Sequence, residues 1–420
     1  MTLTEPLSPI GARERIVAMD VLRGFALLGI LLMNIEAFVG PLFGAITGLD
    51  PALRGADRFA DAAIYILVQG KFYTLFSLLF GMGFAVMLAR AQAAGRGFVG
   101  VYLRRTAMLL AIGLVHALLL WSGDILTAYA VLAPALLLFR NTPTSRLPVW
   151  ALVLYLLPIA LVLALGALGS LAQLVPAAAK EMDAALAEQG RVMGDALDAQ
   201  RRIYADGTYA EAVARRVADM QLFFTHVATV MGWQIVGLFL LGAWFVRSGA
   251  IANPESHARL YARLRTLGFP IGLALTLASF VLLPTVDFAR MDLVSSAATA
   301  LALAGSLLMC LGYVAWIVRG LQSPAWAPRL ALLAPAGRMA LTNYLMQTVV
   351  CTFVFYGYGL GYFEQLSRAW QVPFALALFA LQVAASHWWL RRFRMGPMEW
   401  LWRAATYLRL PPLRHAAAAA

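Results

Sequence analysis

The sequence predicts an all-α polytopic integral membrane protein with about ten transmembrane helices and both the N- and C-termini in the cytoplasm. Three observations predict it. Of 420 residues, 62% are hydrophobic and 13% are charged, where a soluble domain carries roughly 25% charged residues. Apolar runs near the ~20 residues needed to cross a bilayer recur along the whole chain. Lysine and arginine are shared unequally between alternate gaps, as the positive-inside rule demands.

The predicted spans are 16–38, 72–89, 106–121, 124–139, 147–175, 222–246, 267–284, 294–318, 338–356 and 371–390. The first run is too long for the apolar region of a cleaved signal and contains Asp20 and Arg23, so it is expected to stay as a helix. The third and fourth spans are short, and only Ser122 and Gly123 separate them, which predicts a tight hairpin. The fifth is long enough to tilt. The gap 176–220 is the one large polar insertion. It is Ala-rich, which favours helix, and Tyr204, Tyr209, Val213 and Val217 mark an apolar stripe. It is expected to form an extracytoplasmic helical cap on a single transmembrane domain, 1–410; a mobile loop is the alternative. The tail 391–414 mixes Trp400, Trp402 and Tyr407 with six arginines, the composition of an interfacial segment. The run Ala416–Ala420 is low in complexity and carries no argument.

With the N-terminus inside, the inner gaps hold 21 lysines and arginines, beginning with Arg13 and Arg15, and the outer gaps hold 11. Six of those 11 lie in the long insertion beside eight acids. The net charge of +12 is therefore spread over short loops facing lipid, not gathered in a basic domain, so nucleic acid is not an expected partner. Cys310 and Cys351 lie inside apolar runs and offer neither a disulfide framework nor metal spacing. No GxSxG, P-loop, HExxH or CxxC is present, so neither a metal site nor nucleotide hydrolysis is expected. The pair Gly81 and Gly83 within an apolar run reads as close helix packing.

Ionisable groups within spanning segments are costly and commonly functional. They fall into two layers. In the inner layer Asp20 and Arg23, three residues apart, share a helix face and can pair. Arg338 enters the ninth span from the same side, with Asn343 and Gln347 above it. The planar arginine fork suits phosphate and carboxylate, so these residues are candidates to hold a phosphorylated or CoA-type donor; mutual pairing or snorkelling to headgroups is the alternative. In the outer layer Asn34 and Glu36 end the first span, Lys71 opens the second, His116 lies ten residues into the third and Asp124 begins the fourth. A histidine titrates near neutrality, and a carboxylate across a tight hairpin can orient it as a general base. His116 and Asp124 are therefore the candidate catalytic pair, with Asn34, Glu36 and Lys71 lining an acceptor mouth. Packing between helices is the alternative for His116, and His226, His257 and His387 are assigned no chemistry.

Six blocks in order resemble one family: MDVLRGFALLGILLMNI (19–35), GKFYTLFSLLFGMGF (70–84), GLVHALLLWSGDILTAYA (113–130), GWQIVGLFLLGAWFVRSG (232–249), GRMALTNYLMQT (337–348) and GPMEWLWR (396–403). They are similar to the YeiB-like bacterial membrane proteins, whose C-terminal part is domain of unknown function 418. The resemblance covers nearly all of 13–409 and implies a multi-pass protein of the bacterial cell (inner) membrane. The opening Asp20-Val21-Leu22-Arg23-Gly24 also resembles the first helix of the transmembrane acyltransferase superfamily. That similarity implies acyl-CoA as donor on the cytoplasmic side and a glycan or small-molecule acceptor on the other. The O-acetylases of that group carry a histidine fourteen residues after the aspartate, where this chain has Asn34. Under this reading His116 supplies the base. A transporter of a small solute and a non-catalytic scaffold remain the other two readings of the residues. The sequence leaves the oligomeric state open.

Overall fold

A computed structural model describes residues 16–287 and 289–415, apart from the side chains of Phe223 and His226. Arg13, Arg15, Ala416–Ala420 and the His226 side chain lie outside the described residues. The chain forms helices α1 (Val17–Val39), α2 (Gly55–Leu67), α3 (Lys71–Ala93) and α4 (Val99–Val115), the last running into a π-turn, His116–Leu120. Helix α5 (Leu126–Leu132) continues as a 3-10 segment, Ala133–Phe139. Then come α6 (Leu147–Ala172), α7 (Pro176–Asp206), α8 (Tyr209–His226), α9 (Gly232–Arg247), α10 (Ala258–Arg263), α11 (Phe269–Leu282) and α12 (Leu293–Gly320). Two single turns, α13 (Ala327–Ala331) and α14 (Ala334–Arg338), precede α15 (Ala340–Phe355), α16 (Arg368–Arg392) and α17 (Pro397–Tyr407). Among the described residues there is no strand, and only two isolated bridges.

Eight helical segments among these are long and apolar enough to cross a membrane, and two shorter apolar ones, Leu126–Phe139 and Ala340–Phe355, complete the ten expected spans. The protein is an all-α membrane protein. Several helices extend past their predicted apolar runs, as α8 does before 222, because helical hydrogen bonding continues into polar sequence that hydropathy does not register. Helix α2 lies in a stretch for which the sequence reading assigned no element.

The core gathers around α1, whose Val21, Leu22, Ala26, Leu27 and Leu31 are wholly buried. Helix α6 is the opposite case: Val149, Leu152, Val153, Leu156, Leu157, Leu161, Leu165 and Leu168 are exposed along it. An apolar face of that length is a lipid-facing surface. Helices α3 and α9 meet through two glycines. A Cβ on Gly81 would stand 1.9 Å from the Phe239 carbonyl oxygen, and one on Gly242 would stand 2.0 Å from that of Leu78. Gly81 thus closes the helix seam as the sequence suggests, whereas Gly83 has open space before it and lines a cavity.

Buried ion pairs tie the ends of the bundle. Arg368, at the start of α16, bridges Asp61 of α2 and Glu36 of α1, each at 2.9 Å. The polar insertion 176–220 is helical, and its Arg216 is wholly buried against the rest of the chain. One guanidinium nitrogen of Arg216 donates to the Leu119 carbonyl at 2.7 Å, and Tyr209 Oη donates to the same oxygen at 2.9 Å. The insertion is thereby fastened to the last turn of the helix that carries His116.

Candidate functional site

The α4–α5 hairpin is held close because Gly113 has no side chain: a Cβ there would lie 2.7 Å from the backbone nitrogen of Thr127. That approach lets two residues eight positions apart meet. His116 Nδ1 lies 2.8 Å from Asp124 Oδ1, and both residues are 1% exposed. Asp124 Oδ2 accepts from the backbone N–H and the hydroxyl of Thr127, both at 2.6 Å. The carboxylate is therefore held from two sides. His116 is also the first residue of the π-turn, a distortion that recurs at functional sites.

The other ring nitrogen is engaged by a residue from far along the chain. His116 Nε2 lies 2.9 Å from Thr348 Oγ1 on α15. A carboxylate on Nδ1 favours the tautomer protonated there, leaving Nε2 to accept the Thr348 hydroxyl proton. Thr348, His116 and Asp124 thus form a buried hydroxyl–imidazole–carboxylate relay. One turn before Thr348, the Tyr344 ring packs 5.1 Å from that of His116, centroid to centroid.

Tyr344 also lines a cavity of about 290 Å³. At one end this cavity carries Asp20, Arg23, Arg90, Arg105, Arg338 and Arg403. Its walls are then apolar, through Phe80, Phe84, Met87 and Leu109, to Ile125, Leu126, Tyr129 and Tyr344 beside the relay. Arg23 pairs with Asp20 at 2.7 Å, and Arg105 stacks on Trp402 at 3.7 Å. Trp402 belongs to α17, so the tail expected to lie on the membrane surface contributes a wall of this cavity. Glu399 of α17 accepts from the backbone N–H groups of Leu341 and Thr342 at 2.7 and 3.1 Å and from the Thr342 hydroxyl at 2.6 Å. It caps the first turn of α15, the helix that bears Tyr344 and Thr348.

The remaining sequence candidates fall elsewhere. Arg338 lines the arginine end, but Asn343 and Gln347 are spent on interhelical bonds. The Asn343 amide donates to the Ala336 carbonyl and to Ser386, and that of Gln347 donates to Gln382 at 2.9 Å. The outer group does not converge on His116. Glu36 is the partner of Arg368, Asn34 is half-buried and lines neither this cavity nor a second one near the start of α3, and Lys71 lines that second cavity. Sequence reasoning missed Thr348, Tyr344, Arg105 and Glu399. Arg105 was within reach, as an arginine at the edge of an apolar run. Thr348 was not, because a threonine in an apolar helix carries no signal of its partner.

The comparisons with known proteins bear on this geometry. The family described as "Protein of unknown function (DUF418)" matches over residues 245–409. The protein YxaH of Bacillus subtilis (strain 168) is 36% identical over 415 residues, 97% of this chain and 98% of the relative. The chain belongs to the DUF418 family. YeiB of Escherichia coli (strain K12) is 33% identical, across 94% of this chain and 96% of its own length. A 39.9 kDa protein of Bacillus acidopullulyticus is 30% identical across 97% and 98%. No solved structure matches the chain. The DUF418 match begins in α9 and so takes in Thr348, Tyr344 and Glu399. His116 and Asp124 stand before it, in sequence that the full-length relatives span.

Proposed function

We propose that this DUF418 protein is a membrane-embedded acyltransferase of the bacterial inner membrane. It would move an acyl group from cytoplasmic acyl-CoA to a hydroxyl of a glycan or small molecule on the far side. The single observation that carries this reading is the cavity with arginines at one end and the His116 neighbourhood at the other. CoA is a polyanion on a long thin arm ending in a thioester, and the cavity offers cations, then apolar walls, in that order.

In this reading Arg23, Arg105 and Arg338 hold the donor's phosphates, which arginine binds through paired donors. His116 is the general base and Asp124 orients it. The acceptor hydroxyl takes the place of the Thr348 hydroxyl at Nε2 and gives its proton to the ring. Its oxygen attacks the thioester carbonyl, the carbon–sulfur bond breaks, and the departing thiolate takes up the proton. Carbonyl polarisation is assigned to Tyr344, which lies between cavity and ring. The insertion 176–220 would cover the acceptor side.

Two measurements test this. Acetyl-CoA should bind the detergent-purified protein saturably by calorimetry, and binding should weaken at least about tenfold in Arg105→Ala, the loss expected for one charge-assisted contact. Acetylation of membrane glycans, followed by mass spectrometry in cells expressing the protein, should fall by about 10²–10⁴ in His116→Ala while acetyl-CoA binding stays intact. Absence of binding at millimolar acetyl-CoA would sink the reading.

A further inference from the structure

A second cavity, of about 360 Å³, lies away from His116 at the start of α3. Its walls come from α6, α11 and α12 and from the α2–α3 junction. Lys71 is the first residue of α3 and is only 2% exposed, yet it lines this space. Its ammonium makes one hydrogen bond, to the Tyr65 carbonyl at 3.0 Å. No carboxylate among the described residues lies within 4 Å of it, whereas the buried Arg368 has both Asp61 and Glu36. A buried ammonium with one neutral acceptor is costly in a low-dielectric interior and calls for an anion.

Two features point the same way. The preceding residue, Gly70, takes a left-handed conformation (φ +81°) and turns the chain so that the N-terminus of α3 begins at this cavity. The helix dipole adds positive potential there. Ser306 of α12 is buried and also lines the cavity, and its Oγ stands beside Gly70, 2.6 Å from where a Cβ would be. At the rim, Asp287 accepts from the Ala289 backbone and Arg290 pairs with Asp292, so neither is directed to Lys71.

The rest of the lining states what else the ligand carries. Val162 and Leu165 of α6, with Leu283 and Val286 after α11, form an apolar side. Leu165 and Val286 are themselves exposed, on the flank where α6 presents its long apolar face. We propose that this cavity binds the oxyanion group, phosphate or carboxylate, of an amphiphile whose apolar part lies along α6 and the end of α11. The ammonium of Lys71 and the N-terminus of α3 hold the anion, and Ser306 donates to it. The site is independent of the acyl-transfer reading, because it shares no residue with the arginine-lined cavity.

The test reconstitutes the full chain in vesicles of equal phosphatidylglycerol and phosphatidylcholine, extracts it into detergent and counts retained lipid by native mass spectrometry. The wild type should retain phosphatidylglycerol in preference to phosphatidylcholine. Lys71→Met should lower that retention at least about tenfold, and Lys71→Arg should keep most of it. Ala302→Leu fills the cavity from α12, one turn before Ser306, and should abolish retention with the ammonium still present. It decides the matter if Lys71→Met does not fold. A parallel titration with inorganic phosphate separates the sources: Lys71-dependent phosphate binding without lipid retention keeps the oxyanion site and assigns it a soluble ligand. Equal phosphatidylglycerol retention by wild type, Lys71→Met and Ala302→Leu, with no phosphate binding, overturns the proposal.

Discussion

His116 draws its geometry from three separate origins. Asp124 comes from the same hairpin, Thr127 from the next turn, and Thr348 from a helix 232 residues away. Asp124 accepts three hydrogen bonds in a site that is 1% exposed. Its removal strands a backbone N–H, a hydroxyl and a ring nitrogen without water to receive them. Asp124→Ala should therefore destabilise the protein by about 1–3 kcal/mol for each buried group left unsatisfied, read as a lowered thermal midpoint in detergent. Asp124→Asn, which keeps the shape and one acceptor, should cost visibly less. Equal midpoints for wild type and Asp124→Ala would mean that the hairpin does not rely on this carboxylate. At this scale the sequence put Asp124 within plausible reach of His116, because only two loop residues separate their spans, and the structure decided that they meet. The ring's other partner was hidden, since threonines recur through apolar helices and only tertiary contact singles one out. Glu36 shows the converse. Its place at the helix end invited a role near His116, but Arg368, equally plain in the sequence, arrives from α16 to claim it.

Among the elements, α15 is the hinge of the site. It is only 16 residues long and carries Tyr344 and Thr348, and its first turn is capped by Glu399 from α17. The tail is thus part of the frame of the candidate site. Loss of such a cap costs about 0.5–2 kcal/mol, so Glu399→Ala should lower the melting midpoint and weaken acetyl-CoA binding together, as Trp402 and Arg403 shift with the helix. Burial raises the Glu399 carboxyl above its ordinary value of 4.5, although the Thr342 hydroxyl and the N–H groups of Thr342 and Leu341 oppose the rise. The sign follows from linkage. The folded state keeps a proton that the unfolded chain releases, so the stability tied to this group is full below about pH 4.5 and declines as pH rises through the native value. Melts of wild type and Glu399→Gln between pH 4 and 8 should show the glutamine variant gaining on the wild type as pH increases. A constant difference across that range would contradict the assignment. The sequence marked 391–414 as aromatic and basic, which suits a membrane surface as well as a cavity wall. Composition does not distinguish the two, because both bury rings and leave cations at an edge.

At the scale of the whole molecule the ten spans were legible because lipid imposes a length and an apolar composition on each. Orientation is carried by loop arginines, and it yields a direct check. With the arginine end inside, the α7–α8 insertion faces outward. Cys310 and Cys351 are buried, so introduced cysteines can be read without background. Asp195→Cys, at a side chain 67% exposed on α7, should react with a membrane-impermeant maleimide on intact spheroplasts. Arg391→Cys, at the end of α16, should react only after lysis. The reverse pattern would invert the topology and with it the direction proposed for acyl transfer.

Composition and spacing along the chain assign each segment its solvent: which stretches lie in lipid, which loops carry the positive charge, and which family the six ordered blocks resemble. Those properties depend on local composition and short-range spacing, which a linear chain records directly. The tertiary structure alone decided the partners. It brought Thr348 to His116, Glu399 to α15 and Arg368 to Glu36, and it left Lys71 facing a cavity with a backbone carbonyl as its hydrogen-bond acceptor and no carboxylate of the described residues within 4 Å. Such pairings join positions far apart along the chain. They are selected by the close packing of helices that glycines such as Gly81, Gly113 and Gly242 permit, and by the cost of leaving any charge or hydrogen-bonding group unmatched away from water.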